Sequence, residues 1–272
     1  MRIVCLVENT QGASDCLFEH GLCVYVETEQ HKLLMDCGST DSFMKNAELL
    51  GIDLCGVDTV ILSHGHYDHS GGIMPFAGKN PSAQIYMQQT AGGDYYSIRE
   101  EGETYIGIDK AIQKLPQLVC VDGDMDIDEE LFLFSGITGK RFPAKSNQRL
   151  KRREGDVLLQ DDFRHEQCLV IRQGDRHVLL SGCAHNGILN ILDRYEENFG
   201  DVPDIVISGF HMMQNEYSEE DLENIRSVAR ELAALGTVFY TGHCTGEVAY
   251  ATMKEIMGEQ LVQLHSGKEI CV

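Results

Sequence analysis

The chain is poor in cations: 22 Lys and Arg stand against 43 Asp and Glu, a formal net charge of −21. Nucleic-acid backbones are held by clustered Lys and Arg, so this balance argues against nucleic acid as the main partner and reads mostly as solubility. Long apolar runs are also missing, since none approaches the ~20 residues of a membrane-spanning helix. The opening Met1-Arg2-Ile3-Val4-Cys5-Leu6-Val7 reaches Glu8 and Asn9 too soon to be a signal peptide. No membrane partner and a cytoplasmic location are therefore expected. Paired short cysteine spacings are absent too. The ten cysteines are scattered, which argues against both a zinc ribbon and a disulfide framework and suits reduced thiols inside a cell.

What is present is one dense cluster of metal-binding residue types. Residues 63–72 read Ser-His-Gly-His-Tyr-Asp-His-Ser-Gly-Gly, so three imidazoles (His64, His66, His69) and the Asp68 carboxylate fall within six positions. His64 and His66 alternate as on an extended segment, so both rings can face one side. Gly71 and Gly72 are read as letting the chain turn sharply behind Asp68 and His69. Neutral imidazole nitrogen and carboxylate oxygen are the donors zinc accepts at roughly 2.0–2.2 Å, with one position left open for water in catalytic sites. Iron and manganese accept the same donors. The bland alternative is a solvated His-rich loop. The apolar run at 57–62 leading into the cluster makes a strand tip presenting ligands the better account.

A chain of 272 residues with 43% hydrophobic composition suits one large domain, taken as residues 1–272. Residues 3–7 read as a first strand, followed by a polar loop with Gly12 and Ser14, then a hairpin from 22–26 and 32–35. A helix ending at Gly51 follows, then a short helix at 73–77 and a strand at 84–87. Residues 90–108, rich in Gly and Tyr, show no clear period and read equally as a substrate-facing loop or a surface insertion. Strands at 117–121 and 131–134 flank the acidic turn 122–126, which lacks EF-hand spacing and reads as a solvated hairpin. Residues 140–153 hold seven of the 22 basic residues and no acid. They read either as an anion-binding basic lid or as a solvated charged loop.

A second hairpin, 167–171 with 178–180, runs directly into Ser181-Gly182-Cys183-Ala184-His185. Strands at 205–207 and 238–241 run into Phe210-His211 and Gly242-His243. Four apolar strands therefore end in histidines. Residues 218–235 form the clearest helix, with a capping box at Ser218 and Asp221 and an apolar stripe through Leu222, Ile225, Val228, Ala229 and Leu232. A helix at 247–257 and a strand at 261–264 complete an alternation suited to a layered α/β sandwich.

The chain has eleven histidines, and most lone histidines serve no site. His20, His31, His177 and His265 are read that way. His185 and His243 differ, because each follows a strand and a glycine within a turn of small residues. The expected donor sets are His64, His66 and His185 for one ion, and Asp68, His69 and His243 for a second. Asp68 and His211 are the candidate catalytic residues. His211 is suited to donating to substrate or to stabilising developing charge, with support of a ligand as the alternative. Asp36 is read either as orienting a ligand imidazole or as a turn aspartate capping the next helix. His165 is a further candidate ligand.

The His-x-His-x-Asp-His pattern of HGHYDHSGG resembles the signature of the metallo-β-lactamase superfamily. That resemblance implies an αββα sandwich of two mixed sheets flanked by helices, with a metal site, usually dinuclear, at its mouth. EHGL at 19–22, SGCAHNGILNI at 181–191, SGFHM at 208–212 and TGHCTG at 241–246 resemble the branch named for 7,8-dihydropterin-6-methyl-4-(ribofuranosyl)aminobenzene-5'-phosphate synthase. Members of that branch imply a phosphorylated aromatic or pterin-like substrate. One departure stands out: many family members bridge two metals with an aspartate after a strand-glycine, where this chain has Cys183. The function expected is a metal-dependent hydrolase binding two ions, zinc first, with activated water attacking an ester or phosphoryl centre of an anionic small molecule. The alternatives are a transferase joining a dihydropterin diphosphate to a phosphorylated aryl amine with release of pyrophosphate, and a non-catalytic metal-binding or redox-sensing module.

Overall fold

A computed structural model describes residues 1–12 and 15–272; Ser14, part of the polar loop expected after the first strand, lies outside the described residues. In chain order the structure forms β1 (Arg2–Val7), β2 (Cys23–Glu27), β3 (Lys32–Met35), α1 (Ser42–Leu49), β4 (Thr59–Leu62), α2 (Tyr67–Ser70), α3 (Ile73–Lys79) and β5 (Gln84–Gln88). Next come β6 (Asp94–Arg99), β7 (Gly102–Tyr105), β8 (Leu118–Val121), β9 (Met125–Asp126), β10 (Leu131–Phe134), β11 (Leu150–Glu154) and β12 (Val157–Gln160). The last part holds β13 (Cys168–Gln173), β14 (Arg176–Leu180), α4 (Ile188–Phe199), β15 (Ile205–Ile207), α5 (Glu219–Ala233), β16 (Val238–Thr241), α6 (Glu247–Met257), β17 (Leu261–Gln263) and β18 (Glu269–Cys271).

Two seven-stranded sheets carry the fold, in the orders β18-β1-β2-β3-β4-β5-β8 and β17-β16-β15-β14-β13-β10-β9. Both are mixed: the first is antiparallel from β18 to β3 and parallel from β3 to β8, and the second is parallel from β17 to β14 and antiparallel beyond. Their central strands are apolar on both faces, and alternation sorts the side chains between layers. Ile3 and Cys5 of β1 and Leu169 and Ile171 of β13 meet between the two sheets. Val4 and Leu6 pack outward with Phe43, Ile73 and Phe76 of α1 and α3. Cys168 and Val170 pack outward with Leu192, Ile225, Val228 and Met253 of α4, α5 and α6. These three apolar layers are the αββα sandwich. Ser218 and Asp221 form the expected capping box of α5, and among the described residues no helix is long and apolar enough to cross a membrane.

Three local expectations change. The acidic turn at 122–126 does not close a hairpin, because β8 belongs to the first sheet and β10 to the second; the segment carries the chain from one sheet to the other. Residues 90–108 are largely regular, with β6 and β7 in a four-stranded sheet of order β12-β11-β6-β7. Tyr95 and Ser97 alternate inward there, both buried, and mixed polarity hid the period. Gly71 and Gly72 have ordinary right-handed φ values of −61° and −84°. Their smallness serves close approach instead: a Cβ at Gly71 would lie 2.0 Å from the Ser39 carbonyl oxygen.

The topology explains why four strands end in histidines at one place. β14, β15 and β16 run parallel, so their C-terminal ends, followed by His185, His211 and His243, share an edge. β4 lies parallel between β3 and β5 in the facing sheet and delivers His64 to the same mouth.

Candidate metal centre

The mouth gathers buried imidazoles whose outer nitrogens are already engaged. His69 Nδ1 donates to Asp36 Oδ2 at 2.6 Å. His243 Nδ1 donates to Asn9 Oδ1 at 2.8 Å, and His185 Nδ1 to Asn147 Oδ1 at 3.1 Å. Ser63 Oγ gives its own proton to Asp36 Oδ2 at 2.7 Å, which leaves it to accept from His64 Nδ1 at 2.8 Å. Fixing Nδ1 in this way sets the tautomer and turns each Nε2 inward. One buried carboxylate, Asp36, thus orients His69 directly and His64 through Ser63. Its role is this one and not a cap on α1, whose N-cap is Asp41.

The inward nitrogens meet in pairs. His64 and His185 Nε2 are 3.3 Å apart, and His69 and His243 Nε2 are 3.2 Å apart. Two nitrogens bound tetrahedrally to one zinc ion at ~2.0–2.1 Å lie about 3.3 Å from each other. Cys183 Sγ is grouped with both pairs, His64 with His185 and His69 with His243, and lies 3.1 Å from His69 Nε2. The thiol stands between the two sets. His66 packs edge-on at ring-centre distances of 4.6 Å from His64 and 4.8 Å from His185, and its Nε2 is buried with no hydrogen-bond partner among the described residues. A cation would satisfy this unpaired buried nitrogen, although by donor atoms His66 groups with Asp161 and His165 and not with the His64, Cys183 and His185 set. Asp68 Oδ2 lies 3.4 Å from His243 Nε2, 3.8 Å from His69 Nε2 and 3.3 Å from His20 Nε2. The donor set fits a divalent metal.

Electrostatics agree with metal-ready donors. Burial, helped by neighbouring imidazoles, holds His64 and His185 well below the usual histidine range and lowers His66 to about 3, so these rings are neutral. Burial would raise Asp68, but His69, His20 and His243 outweigh it and keep the carboxylate ionised. His69 is the exception. Burial pulls it down, yet Asp36 and Asp68 lift it to about 9, so a metal ion held at its Nε2 would have to displace a proton there.

The backbone around the site is held in unusual conformations. Asp36, Phe163, Ala184, His211 and His243 all have φ between 49° and 63°, a region non-glycine residues seldom adopt. Phe163 stacks on His185 at 4.6 Å. Buried glutamates hold the two strand-end turns: Glu8 accepts from the His243 amide, and Glu166 from the His185 amide at 2.7 Å. Gly182 is required by proximity, because a Cβ there would lie 2.1 Å from Ser63 Oγ.

The structure therefore brings His64, His66, Asp68, His69, His185 and His243 together and sets His211 beside them, 4.1 Å from His185 ring to ring. Both ring nitrogens of His211 are buried without a hydrogen-bond partner among the described residues. The ring lines both the metal cavity and an adjoining one of about 320 Å³ walled by Phe142, Ile188, Phe210 and Met212. His165 does not offer a free donor, although it groups with His66 and Asp161. Its Nδ1 accepts from the Gly65 amide at 3.0 Å and its Nε2 donates to Asp161 at 3.1 Å, which makes it a strut. His20, read as an ordinary histidine, is at the site against Asp68; the EHGL motif was its signal. Glu8, Asn9, Asn147 and Glu166 carried none, being isolated polar residues on other segments. Much of the basic segment is neutralised: Arg141 pairs with Asp193 and Glu231, Lys145 with Asp221, Arg152 with Glu154 and Asp162, and Arg153 with Glu103.

Comparison with known proteins follows the same lines. Residues 17–243 match the family model of the metallo-beta-lactamase superfamily. Over 99% of this chain and 96% of the relative, the sequence is 26% identical to the 7,8-dihydropterin-6-methyl-4-(beta-D-ribofuranosyl)-aminobenzene-5'-phosphate synthase of Methanocaldococcus jannaschii. The solved structure of Tm1679, a metal-dependent hydrolase of the beta-lactamase superfamily, superposes with a TM-score of 0.82 at 30% identity, covering 100% of this chain and 99% of that one. Zn(2+)-bound PqqB from Methylobacterium extorquens shares the fold at 11% identity, with a TM-score of 0.57 and full coverage of both chains.

Proposed function

Because this chain belongs to the metallo-beta-lactamase superfamily, we propose that it is a metal-dependent hydrolase acting on an ester or phosphoryl centre of an anionic, phosphorylated small molecule. His64, His66 and His185 hold one ion and Asp68, His69 and His243 a second, zinc first among the candidates and iron or manganese next. Bound there, such ions supply Lewis-acid activation of water and neutralise developing negative charge. The observation carrying this reading is the convergence of the Nε2 atoms at 3.2 and 3.3 Å, with their Nδ1 protons tied outward. The ionised Asp68 orients attacking water by accepting a hydrogen bond from it. His211, whose ring lies against the Cys244 thiol at the cavity wall, donates to the oxygen on which charge develops. The 320 Å³ cavity beside it takes the apolar part of the substrate. Ten free thiols support the expected cytoplasmic setting.

Elemental analysis of protein purified anaerobically without added metal tests the site, with His66→Ala alongside. Near two equivalents of metal, lost together with turnover of phosphate esters in the variant, is the expected result. An active His66→Ala protein overturns the ligand assignment. A second reading is favoured by the full-length similarity to the methanogen synthase: transfer of a dihydropterin from its diphosphate to a phosphorylated aryl amine. Release of pyrophosphate when both substrates are supplied distinguishes it from hydrolysis.

A further inference from the structure

Several surface cations lack a partner, Lys79, Lys140 and Arg176 among them, but of the unpaired cations among the described residues Arg99 and Arg149 are the two that line the metal cavity, the one that holds His66, Asp68, His185 and His243. They come from the four-stranded sheet and the turn that leads into it. Arg99 ends β6, and Arg149 immediately precedes β11, which pairs with β6 so that Leu150 lies opposite Ser97. Ser97 is two residues before Arg99 on the same face of β6 and lines the same cavity. Its Oγ is buried without a hydrogen-bond partner, the residue being 3% exposed.

The two guanidinium groups sense each other: burial first, and then repulsion from Arg99, lowers the pKa of Arg149. Like charges held together without a carboxylate are unfavourable until an anion joins them. Elsewhere in the sheet the arginines are engaged, Arg153 with Glu103 and over the Tyr96 ring at 4.3 Å, and Arg152 with Glu154. With 43 acids in the chain, two unneutralised arginines at the metal cavity call for a reason. Guanidinium forks match a phosphate in bidentate fashion, and a serine hydroxyl adds a third donor.

Resting on the hydrolase reading of the metal centre, we infer that Arg99, Arg149 and Ser97 form the anion subsite of this cavity. They clamp the phosphate group of the substrate, which makes the four-stranded sheet the recognition element laid over a catalytic sandwich. They act as positioning residues, and the chemistry stays with the metal centre.

Calorimetric titration of the metal-loaded protein with inorganic phosphate tests this. Arg99→Met and Arg149→Met should each weaken phosphate binding roughly tenfold and the double variant more, with metal content unchanged. Arg99→Lys and Arg149→Lys should fall between, because a point charge replaces a fork. Lys151→Met, outside the cavity, should bind as wild type. Both arginines reach the surface, and melting curves with elemental analysis check that the variants fold and keep their metal. A double variant that binds phosphate as tightly as wild type overturns the clamp. The hydrolase reading fails separately: phosphate binding that depends on the arginines, in a protein that turns over no phosphate ester, keeps the clamp and removes hydrolysis.

Discussion

His69 and His243 are steered by a carboxylate and an amide, Asp36 and Asn9, with the ionised Asp68 beside them. His64 and His185 are steered by a hydroxyl and an amide, Ser63 and Asn147, while the Nε2 of His66 has no partner. Two donor sets sharing one mouth and one thiol are therefore built to different stiffness and charge. A carboxylate behind an imidazole raises its basicity and locks its angle. If each set holds an ion as proposed, the set around His69 should be the tighter site and the set around His64, facing His211 and the adjoining cavity, the more adaptable one. Metal titration of the stripped protein should then show two unequal steps; a single step with two equivalents would erase the distinction.

The largest effect is expected from His69→Ala, which should remove the tighter ion and bring turnover to background, as read by elemental analysis and rate. Should His66→Ala cost more metal than His69→Ala, the order of the two sets is reversed. Asp36→Asn comes next. Asp36 orients His69 and, through Ser63, His64, so both sets should weaken, by roughly 10- to 100-fold in metal affinity. Asn147→Ala sharpens the comparison from the other side: a loss near tenfold, confined to the first set, is expected from competition with a chelator. Equal weakening of both sets by that variant would show that they are not independent. Smallest is Ser218→Ala, far from both sets, which should lower stability by about 1 kcal/mol in urea denaturation through loss of the capping box and leave metal content unchanged.

Much of the candidate site is legible in the sequence. Within residues 63–72 the spacing alone presented four donors, and the strand-glycine-histidine turns marked His185 and His243, since a strand tip followed by small residues is what a ligand loop looks like locally. The helix of 218–235 was readable from its cap and stripe and is observed as α5, Glu219–Ala233. Less was readable where structure depends on distant partners. The four-stranded sheet escaped because Tyr, Gly and charge alternate without contrast in residues 90–108. The 122–126 segment looked like a hairpin because its flanking strands are neighbours in sequence, though they belong to different sheets.

The sequence by itself determined most elements of the two large sheets and their helices and the chemical identity of the donors, because periodicity and side-chain type are local properties. Only the tertiary structure decided which nitrogen of each histidine faces the candidate site, that Cys183 stands between the two donor sets, and which cations escape neutralisation. Those outcomes depend on partners such as Glu8 for His243, 235 residues apart in the chain, and no local pattern encodes a contact made only when two sheets close on each other.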